Sequence, residues 1–439
     1  MAKNEAWIVA VNMGYGHQRT AFPLRNFAAE QTVINANDYD GIPENDRKIW
    51  ESTRRFYEFM SDFKRIPIVG NFVFSLYNKF QEIPTFYPRR DLSRPTFSLK
   101  RFFSIIKNGW GRDLISRLTP HQNKFGTGRE ERPLPLITTF FTPAFMAEVF
   151  QYPGEIFCVV CDADISRSWA PPFSKQSRIK YLAPNSWVKD RLKLYGVKEE
   201  NIFLTGYPLP EENIGSREME ILKSDLGCRL LNLDPKKEYE QQYKSLIEKE
   251  IGLLPEESGH PLTIMFSIGG AGAQKEMAIE FMKSLSPKIK NGEIKIILSA
   301  GIRENVKEYF IEKIKQLGFG ENIGKNLEII FSEKIGEYFE KFNQALRKTD
   351  ILWTKPSELS FYSGLGIPII IAPTIGSQEE QNLKWLLRIG SGILQENPKY
   401  AEQWLFDYLN SGRFAEAAMQ GFVEIEKLGT YNIKKICFG

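Results

Sequence analysis

The chain is poor in cysteine and lacks any long apolar run. Its 439 residues include four cysteines and three histidines, which is too little cysteine for the disulfide framework of a small secreted protein. No apolar run reaches the roughly 18 residues that a membrane-spanning helix needs. The first run, AWIVAVN at residues 6–12, soon meets glycines and a histidine, which is typical of a first strand and not of a signal peptide. We therefore expect a cytoplasmic protein.

Motifs that would assign a cofactor are also missing. The small-residue loop at 267–273 is not followed by the GK[ST] of a P-loop. No acidic residue stands about twenty positions further on at the end of a second strand, as a dinucleotide fold requires. Cys158 and Cys161 form a CxxC, but positions three apart in a strand point to opposite faces, which favours buried core over a redox or metal pair. We expect no cofactor, no metal and no nucleic-acid partner.

The length and composition are those of a folded protein with about two domains. Hydrophobic residues make up 42% of the chain and charged residues 26%, a balance typical of globular proteins. Apolar strand-like runs alternate with helical stretches, which predicts parallel sheets flanked by helices. These runs lie at 6–12, 134–141, 155–162, 180–185 and 201–208 in the first half, and at 262–270, 294–301, 327–332, 350–356 and 368–374 in the second. The sequence predicts an α/β protein with two Rossmann-like domains.

The same pattern gives the domain bounds. We place the N-terminal domain at 1–210, with a helical insertion at about 47–132, and the C-terminal domain at 261–400. The polar stretch 211–260 is predicted to be the linker, because its few apolar residues could support helices but no strand. Residues 401–439 have apolar residues at three- and four-residue spacing, so we expect helices there, packing back on the N-terminal domain.

Basic and aromatic residues are concentrated in the insertion. Residues 46–132 contain 18 Lys or Arg against nine Asp or Glu, in a chain whose net charge is only +4. One interpretation is a surface for an anionic membrane or a phosphate-bearing acceptor, with the rings entering the headgroup region. The other is a packed helical segment whose charges are merely solvated. The rings in question include Trp50, Phe102, Phe103 and Trp110.

Three clusters of polar residues each follow a predicted strand. In the first, Gly14 and Gly16 let the backbone approach a ligand, and the amides at the start of the following helix favour an anion. His17 stands at the mouth of the sheet, where an imidazole could take a proton from an acceptor hydroxyl at neutral pH. A helix-capping or structural role is the alternative for His17.

The second and third clusters lie in the second half of the chain. The loop 267–273 is a small-residue turn between strand and helix, which suits a phosphate. The third cluster has carboxylates and amides that can hydrogen-bond ribose and sugar hydroxyls. Glu379 could instead be a solvated acid at a helix N-terminus. The third cluster comprises Lys355, Ser357 and Glu358 after one strand, and Gln378, Glu379 and Asn382 after the next.

Six segments in order resemble the GT-B glycosyltransferases. The resemblance is to the group with the bacterial lipid-linked N-acetylglucosaminyltransferase of peptidoglycan synthesis, the plant-type monogalactosyldiacylglycerol synthases and the diacylglycerol glucosyltransferases. GYGHQRTA resembles the GGGH turn of that group, and GSQEEQN resembles its GQExxN element. The other four segments are VVCDADISRSW, YLAPNSWVKDRLKLYGVKEENIFLTGYPLP, FSIGGAGA and LWTKPSELSFYSGLGIPIII.

The resemblance implies two domains facing across a cleft and a role for each cluster. It implies His17 as base or acceptor contact, with Asp162 and Asp164 as further catalytic candidates. The acceptor side is implied to comprise Gly14, Gly16, Arg19, Arg167 and Trp169. The donor side is implied to comprise Gly269, Gly270 and Gly272 at the diphosphate, Lys355, Ser357 and Glu358 beside it, and Gln378, Glu379 and Asn382 at the sugar and ribose. Where the relatives place a ribose-binding glutamate, this chain has Phe361, and the nearest acid is Glu358.

The function that follows is metal-independent transfer of a hexose or N-acetylhexosamine. The donor is expected to be a nucleotide-diphosphate sugar, a UDP-sugar by resemblance, and the acceptor a hydroxyl compound, with a lipid-linked acceptor as one form of it. The protein is expected to be cytoplasmic or peripheral at the inner face of the membrane. Asp162 and Asp164 form a DAD, the closest approach to a metal-binding DxD in the chain. The alternatives are a sugar-nucleotide 2-epimerase and a catalytically silent nucleotide-sugar binding protein.

Overall fold

A computed structural model describes residues 4–52, 82–119, 133–267, 274–374 and 377–439. The chain forms two compact units. Unit 1 comprises residues 1–208, 375–381 and 428–439, and unit 2 comprises residues 209–374 and 382–427. Each unit is built on its own sheet of six parallel strands with helices around it, which confirms the prediction of an α/β protein with two Rossmann-like sheets.

The inner strands of the unit 1 sheet are almost wholly buried. Its strands are β1 (Ala6–Ala10), β2 (Ala28–Asn35), β3 (Leu136–Thr138), β4 (Ile156–Val159), β5 (Lys180–Ala183) and β6 (Ile202–Leu204). They pair in the order β2-β1-β3-β4-β5-β6. Helices cover both faces of such a sheet, so its inner strands read as continuous apolar runs. Ile8, Ile137, Phe157 and Leu182 lie together in one core cluster and are at most 2% exposed.

The helices of unit 1 follow the strands and bury apolar faces against them. Thr96 caps one of them by accepting a hydrogen bond from Leu99 N at 3.2 Å, and that helix then buries Leu99, Phe103 and Ile106 at helical spacing. The α-helices are Tyr15–Ala21, Phe97–Lys107, Arg112–Leu118, Phe141–Val149, Ser186–Leu194 and Gly429–Phe438, with residues 44–52 also helical. Short 3-10 helices are Phe22–Phe27, Arg167–Trp169 and Glu199–Asn201.

Unit 2 is also built on a sheet of six parallel strands. Its strands are β7 (Leu262–Ser267), β8 (Ile294–Gly301), β9 (Leu327–Phe331), β10 (Ile351–Thr354), β11 (Ile369–Ile371) and β12 (Gly392–Leu394). They pair in the order β12-β11-β10-β7-β8-β9. Trp353 of β10 is fully buried and stacks on Phe281 at 4.7 Å between ring centroids.

Helices surround this second sheet as well. The α-helices counted with unit 2 are Glu220–Leu233, Glu238–Ile251, Lys275–Ser284, Ser286–Lys290, Glu304–Gln316, Ile335–Leu346, Ala401–Asn410 and Arg413–Glu424. Another helix, Ser377–Ile389, contributes residues to both units. The 3-10 helices are Glu211–Asn213, Gly320–Asn322, Glu358–Leu365 and Pro398–Tyr400.

Residues 211–260, predicted to be a linker, belong to unit 2 instead. Arg229, in the helix Glu220–Leu233, is 2% exposed and donates to the backbone oxygens of Thr349 at 2.7 Å and Leu365 at 2.8 Å. A guanidinium buried in this way joins the helix to the loops around β10, because its donors must be satisfied inside the protein. The helices at 401–439 were predicted to pack on the N-terminal domain. Residues 401–427 are counted with unit 2, and only residues 428–439 are counted with unit 1.

The aromatic rings Trp50, Phe102, Phe103 and Trp110 of the insertion contact other rings inside unit 1. Trp50 and Trp110 are 3% and 2% exposed, with ring centroids 4.7 Å apart. Phe103 is buried 5.9 Å from Phe145, and the half-buried Phe102 lies 5.6 Å from Trp110. The expectation that Trp50, Phe103 and Trp110 enter a membrane is therefore wrong, because these three rings are buried in the core.

Residues 53–81 and 120–132 of the insertion lie outside the described residues. Within the described ranges, no helix is long and apolar enough to cross a membrane.

Candidate functional site

The strand order of unit 1 places a switch point between β1 and β3. From β1 the chain goes to β2 on one side of the sheet, and β3 then lies on the other side of β1. In open parallel sheets, ligands bind outside the carboxyl ends of the strands at such a reversal, because the two flanking loops diverge there. Gly14 lies in the turn after β1, Gly16 and His17 lie in the first turn of the helix Tyr15–Ala21, and the loop after β3 carries Thr139 and Phe140.

The turn after β1 is held in one conformation. Asn12 N donates to Asn37 Oδ1 at 2.7 Å, and Asn37 Nδ2 donates back to Asn12 O at 3.0 Å. Gly14 has φ 103° and ψ 175°, a conformation that side chains disfavour, although a Cβ there would meet no atom within 4 Å. Glycine is required at this position by the backbone and not by crowding. Gly16 O accepts a hydrogen bond from Thr20 Oγ1 at 2.8 Å.

His17 bridges the switch point. Its Nδ1 lies 2.8 Å from Thr139 O, and Thr139 Oγ1 donates to His17 O at 2.9 Å. A carbonyl oxygen can only accept, so Nδ1 carries the proton and Nε2 keeps a lone pair. Cys161 Sγ lies 3.4 Å from Nδ1, and the Phe140 ring lies 4.6 Å from the imidazole. The imidazole is therefore fixed in one tautomer, with its basic nitrogen unused by this hydrogen bond.

Burial lowers the pKa of His17 to about 4, and the hydrogen bond to Thr139 O opposes part of that shift. The side chain is half-buried. At neutral pH the imidazole is uncharged, and an uncharged imidazole is the form that can accept a proton.

Both carboxylate oxygens of Asp164 accept hydrogen bonds from groups inside the protein. Its Oδ1 accepts from Arg191 Nε at 2.9 Å and its Oδ2 from Arg191 Nη2 at 2.7 Å. Oδ1 also accepts from Ile165 N, and Oδ2 from Trp187 Nε1, each at 2.8 Å. Both partners of the ion pair are nearly inaccessible, at 2% and 4% side-chain exposure. The carboxylate thus anchors its segment, and the catalytic role of Asp164 stays a prediction. Asp162 is half-buried after β4.

Arg167 and Arg19 are also interior residues. Arg167 Nη2 donates to Ser93 O at 2.7 Å and to Pro171 O at 3.2 Å, and its Nη1 donates to Ala170 O. Arg19 is 2% exposed. Both guanidiniums are interior groups in this structure, and their acceptor roles stay predictions. The implied acceptor contact Trp169 is also buried, 6.5 Å from the His17 ring, where it forms part of the wall behind the imidazole.

Unit 2 has its own switch point, between β7 and β10. β8 lies on one side of β7 and β10 on the other, so the loops after β7 and β10 flank the reversal. Thr354 Oγ1 donates to Ser267 O at 3.0 Å and ties the two strand ends together. The loop after β7 contains the predicted diphosphate contacts Gly269, Gly270 and Gly272, which lie outside the described residues.

The predicted donor residues after β10 are at this edge of the sheet. Ser357 Oγ accepts from Leu359 N at 3.4 Å and caps the 3-10 helix Glu358–Leu365. Lys355 and Glu358 are half-buried. Phe361 is fully buried and packs on Trp385 at 4.8 Å between ring centroids, so the position of the relatives' glutamate is here an apolar core position.

The remaining donor candidates lie on the helix Ser377–Ile389. Gln378 and Glu379 are half-buried in its first turn, where an acid is favoured by the helix dipole. Asn382 is 1% exposed, so its amide is an interior group of unit 2.

Sequence reasoning missed Thr139, Phe140 and Cys161, which surround His17. The run LITTFF was recognised as a strand, and Cys161 was placed in the CxxC as buried core and inside the motif VVCDADISRSW. The order of β1, β3 and β4 brings them to one place, and a sequence pattern carries no signal for that order. Among the residues that the structure describes, no group of three or more His, Cys, Asp or Glu side chains could hold a metal ion.

Comparisons with known proteins give one family match. A family described as a domain of unknown function, DUF6938, matches residues 254–329. That interval covers β7, β8 and most of β9 in unit 2. A search of curated proteins finds no matching sequence.

Several solved structures are similar at low identity. MurG from Acinetobacter baumannii is 12% identical, with 98% of each chain covered and a TM-score of 0.44. UDP-GlcNAc 2-epimerase from Neisseria meningitidis, bound to UDP-GlcNAc, is 14% identical, with 83% of this chain and 86% of that chain covered and a TM-score of 0.41. A glycosyltransferase from Rickettsia africae is 12% identical, with 79% and 83% covered and a TM-score of 0.39.

Proposed function

We propose that the chain is a glycosyltransferase that moves a hexose or N-acetylhexosamine from a UDP-sugar to a hydroxyl acceptor. The observation that carries the proposal is His17, a neutral imidazole fixed in one tautomer at the switch point of unit 1. Nε2 would take the proton from the acceptor hydroxyl as its oxygen attacks the anomeric carbon and UDP leaves. Thr139 O, accepting from Nδ1, would stabilise the imidazolium that forms.

The donor would bind at the switch point of unit 2. The loop 268–273, with its glycines, is proposed to hold the diphosphate through backbone amides, and Lys355 to neutralise part of its charge. Ser357 and Glu358 follow β10 at the same sheet edge, where they can meet ribose or sugar hydroxyls. Gln378 and Glu379 are counted with unit 1, and their contact with the donor sugar and ribose stays a prediction from the resemblance.

We propose that no divalent metal takes part. The DAD segment is the nearest thing to a DxD in the sequence, and Arg191 already occupies both carboxylate oxygens of Asp164. A carboxylate held in a buried bidentate pair is a poor cation ligand, because binding a cation would leave the guanidinium buried without its partner.

Donor binding followed by acceptor-dependent UDP release is the expected behaviour. A thermal-shift panel of UDP-glucose, UDP-galactose and UDP-N-acetylglucosamine should show a ligand-specific rise, since a ligand at a hundred times its Kd stabilises by about 2.7 kcal/mol. UDP release should then require an added hydroxyl acceptor, tested with diacylglycerol and with a lipid extract, and should survive EDTA.

The other outcomes of this assay are informative. Conversion of the donor alone to a second nucleotide sugar would make the protein an epimerase, and binding without turnover would make it a silent binder. Loss of activity in EDTA with recovery on adding Mn²⁺ would overturn the metal-independent mechanism.

The pH dependence of kcat/KM should reflect the lowered pKa of His17. Below its pKa the imidazole is protonated and cannot accept the acceptor's proton, so the rate falls on the acid side. With a pKa of about 4, kcat/KM should show no acid limb near the ordinary histidine value and should begin to fall only as the pH approaches 4. Initial rates from pH 4 to 8, with stability checked at each pH, test this. A limb near 6.5 would mean that His17 is solvated or that another group is the base.

A further inference from the structure

A groove of about 730 Å³ opens on the surface of unit 1, and none of the residues assigned to catalysis is among the described residues that line it. One wall is formed by the loop before the helix Phe97–Lys107 and by the helix itself, including Arg94, Lys100 and Lys107. The other wall is the loop 172–176, with Phe173 and Lys175. Its volume lies in the range of small-molecule sites, roughly 300–1,000 Å³.

A buried cation fixes the two walls to each other. Arg167 Nη2 donates to Ser93 O at 2.7 Å on one wall, and to Pro171 O at 3.2 Å and Ser174 Oγ at 3.3 Å on the other. Gly196, with φ +84°, lets Ser93 approach so closely that a Cβ on the glycine would lie 2.8 Å from Ser93 Cβ. The groove is therefore held by interior contacts and does not depend on surface side chains for its shape.

The charge on the walls is positive. Arg94, Lys100, Lys107 and Lys175 are all exposed, and no carboxylate is among the described residues that line the groove. The nearby acid is Asp91, which interacts with Lys175 and Arg94 and whose pKa is lowered chiefly by its hydrogen bonds from Ser93. Four cations against one carboxylate leave a net positive site for an anion of more than one charge.

The groove also offers apolar surface. Phe173 is 64% exposed and lines the groove. Phe103, 8% exposed, forms part of the groove lining, and Lys107 Nζ lies 5.6 Å from its ring centre. Cations around an apolar surface suit a ligand with an anionic head and an apolar tail.

We propose that this groove binds a phosphate ester with an apolar group, the phosphate contacting Lys100 and Lys175 and the apolar part lying on Phe173. The source of this chemistry is either a soluble alkyl phosphate or a phospholipid headgroup. This inference goes beyond sugar transfer and does not require it, because binding is measured without a nucleotide sugar.

Binding of dodecyl phosphate, below its micellar concentration, tests the site. The full-length protein should bind it more tightly than inorganic phosphate, and binding should weaken with salt. Lys100→Glu and Lys175→Glu, one on each wall, should each raise the Kd about tenfold or more, because each reverses a charge beside the phosphate. Phe173→Ser should weaken dodecyl phosphate binding and leave inorganic phosphate binding unchanged.

Arg101→Glu is the matched control, since Arg101 is exposed on the same helix as Lys100 but does not line the groove. It should bind dodecyl phosphate as the unmodified protein does. Sedimentation with phosphatidylcholine vesicles, with and without phosphatidylglycerol, distinguishes the two sources: binding to the anionic vesicles that Lys175→Glu abolishes would assign a phospholipid headgroup. If no probe binds, or if Arg101→Glu weakens binding as much as Lys100→Glu, the site does not exist.

Discussion

Replacing His17 by alanine is expected to lower kcat by about 10² to 10⁴ and to leave the Kd for the donor nearly unchanged. Removing a general base acts on the transition state, because the proton moves only as the acceptor oxygen attacks. The donor is proposed to bind through unit 2, so its affinity should not depend on the imidazole. Steady-state rates give kcat, and titration of the donor gives its Kd.

His17→Asn separates proton transfer from positioning. An asparagine amide can donate to Thr139 O, the acceptor that lies 2.8 Å from Nδ1 in the unmodified protein, but it has no basic nitrogen. We expect His17→Asn to be as slow as His17→Ala. If the asparagine variant keeps full turnover, the role of His17 is to hold the loop after β3, and the base must be sought elsewhere.

Asp164→Ala is expected to reduce the free energy of unfolding by about 3–5 kcal/mol. The substitution leaves the guanidinium of Arg191, at 2% side-chain exposure, without its counter-ion, and the loss of one partner from a buried pair costs about this much. It also removes the acceptor for Trp187 Nε1. Chemical denaturation followed by tryptophan fluorescence measures the change.

Asp190→Ala is the control for this loss. Asp190 also pairs with an arginine, Arg89 at 3.3 Å, but the Arg89 and Asp190 side chains are 60% and 40% exposed, so the cost should be under about 1 kcal/mol. Combining Asp164→Leu with Arg191→Met should recover much of the stability, since both charges are then gone. A stable Asp164→Ala protein that has lost turnover would support the catalytic assignment.

Sequence reasoning found ten strands of the two sheets and missed two. All ten predicted apolar runs contain a strand, from β1 in AWIVAVN to β11 in PIIIAPT. The two strands that it missed, β2 and β12, each lie at an edge of a sheet, but β6 and β9 at the opposite edges were found. β2 reads AAEQTVIN and has three exposed residues in its middle, and β12 has only three residues. Exposed residues and short length weaken the apolar signal of these two strands, and the edge position by itself does not.

The candidate site shows the same division between sequence and structure. GYGH and TKPSE could be assigned to strand ends, because a glycine turn and a polar group after an apolar run are local features. The roles of the charged residues could not be assigned in this way. Asp164 and Arg167 stand in one motif, and only packing shows that one is bound by Arg191 and the other by backbone carbonyls of Ser93 and Pro171.

By itself, the sequence determined the class of fold, the number of sheets and which turns follow which strands, since these depend on local apolar periodicity and on glycine. The tertiary structure decided the order of the strands, and so placed His17 against Thr139 at one switch point and joined the ends of β7 and β10 at the other. It also decided which charges are buried, because desolvation and pairing depend on residues far apart in the chain. Trp50 and Trp110, separated by sixty positions, form one ring contact in the core.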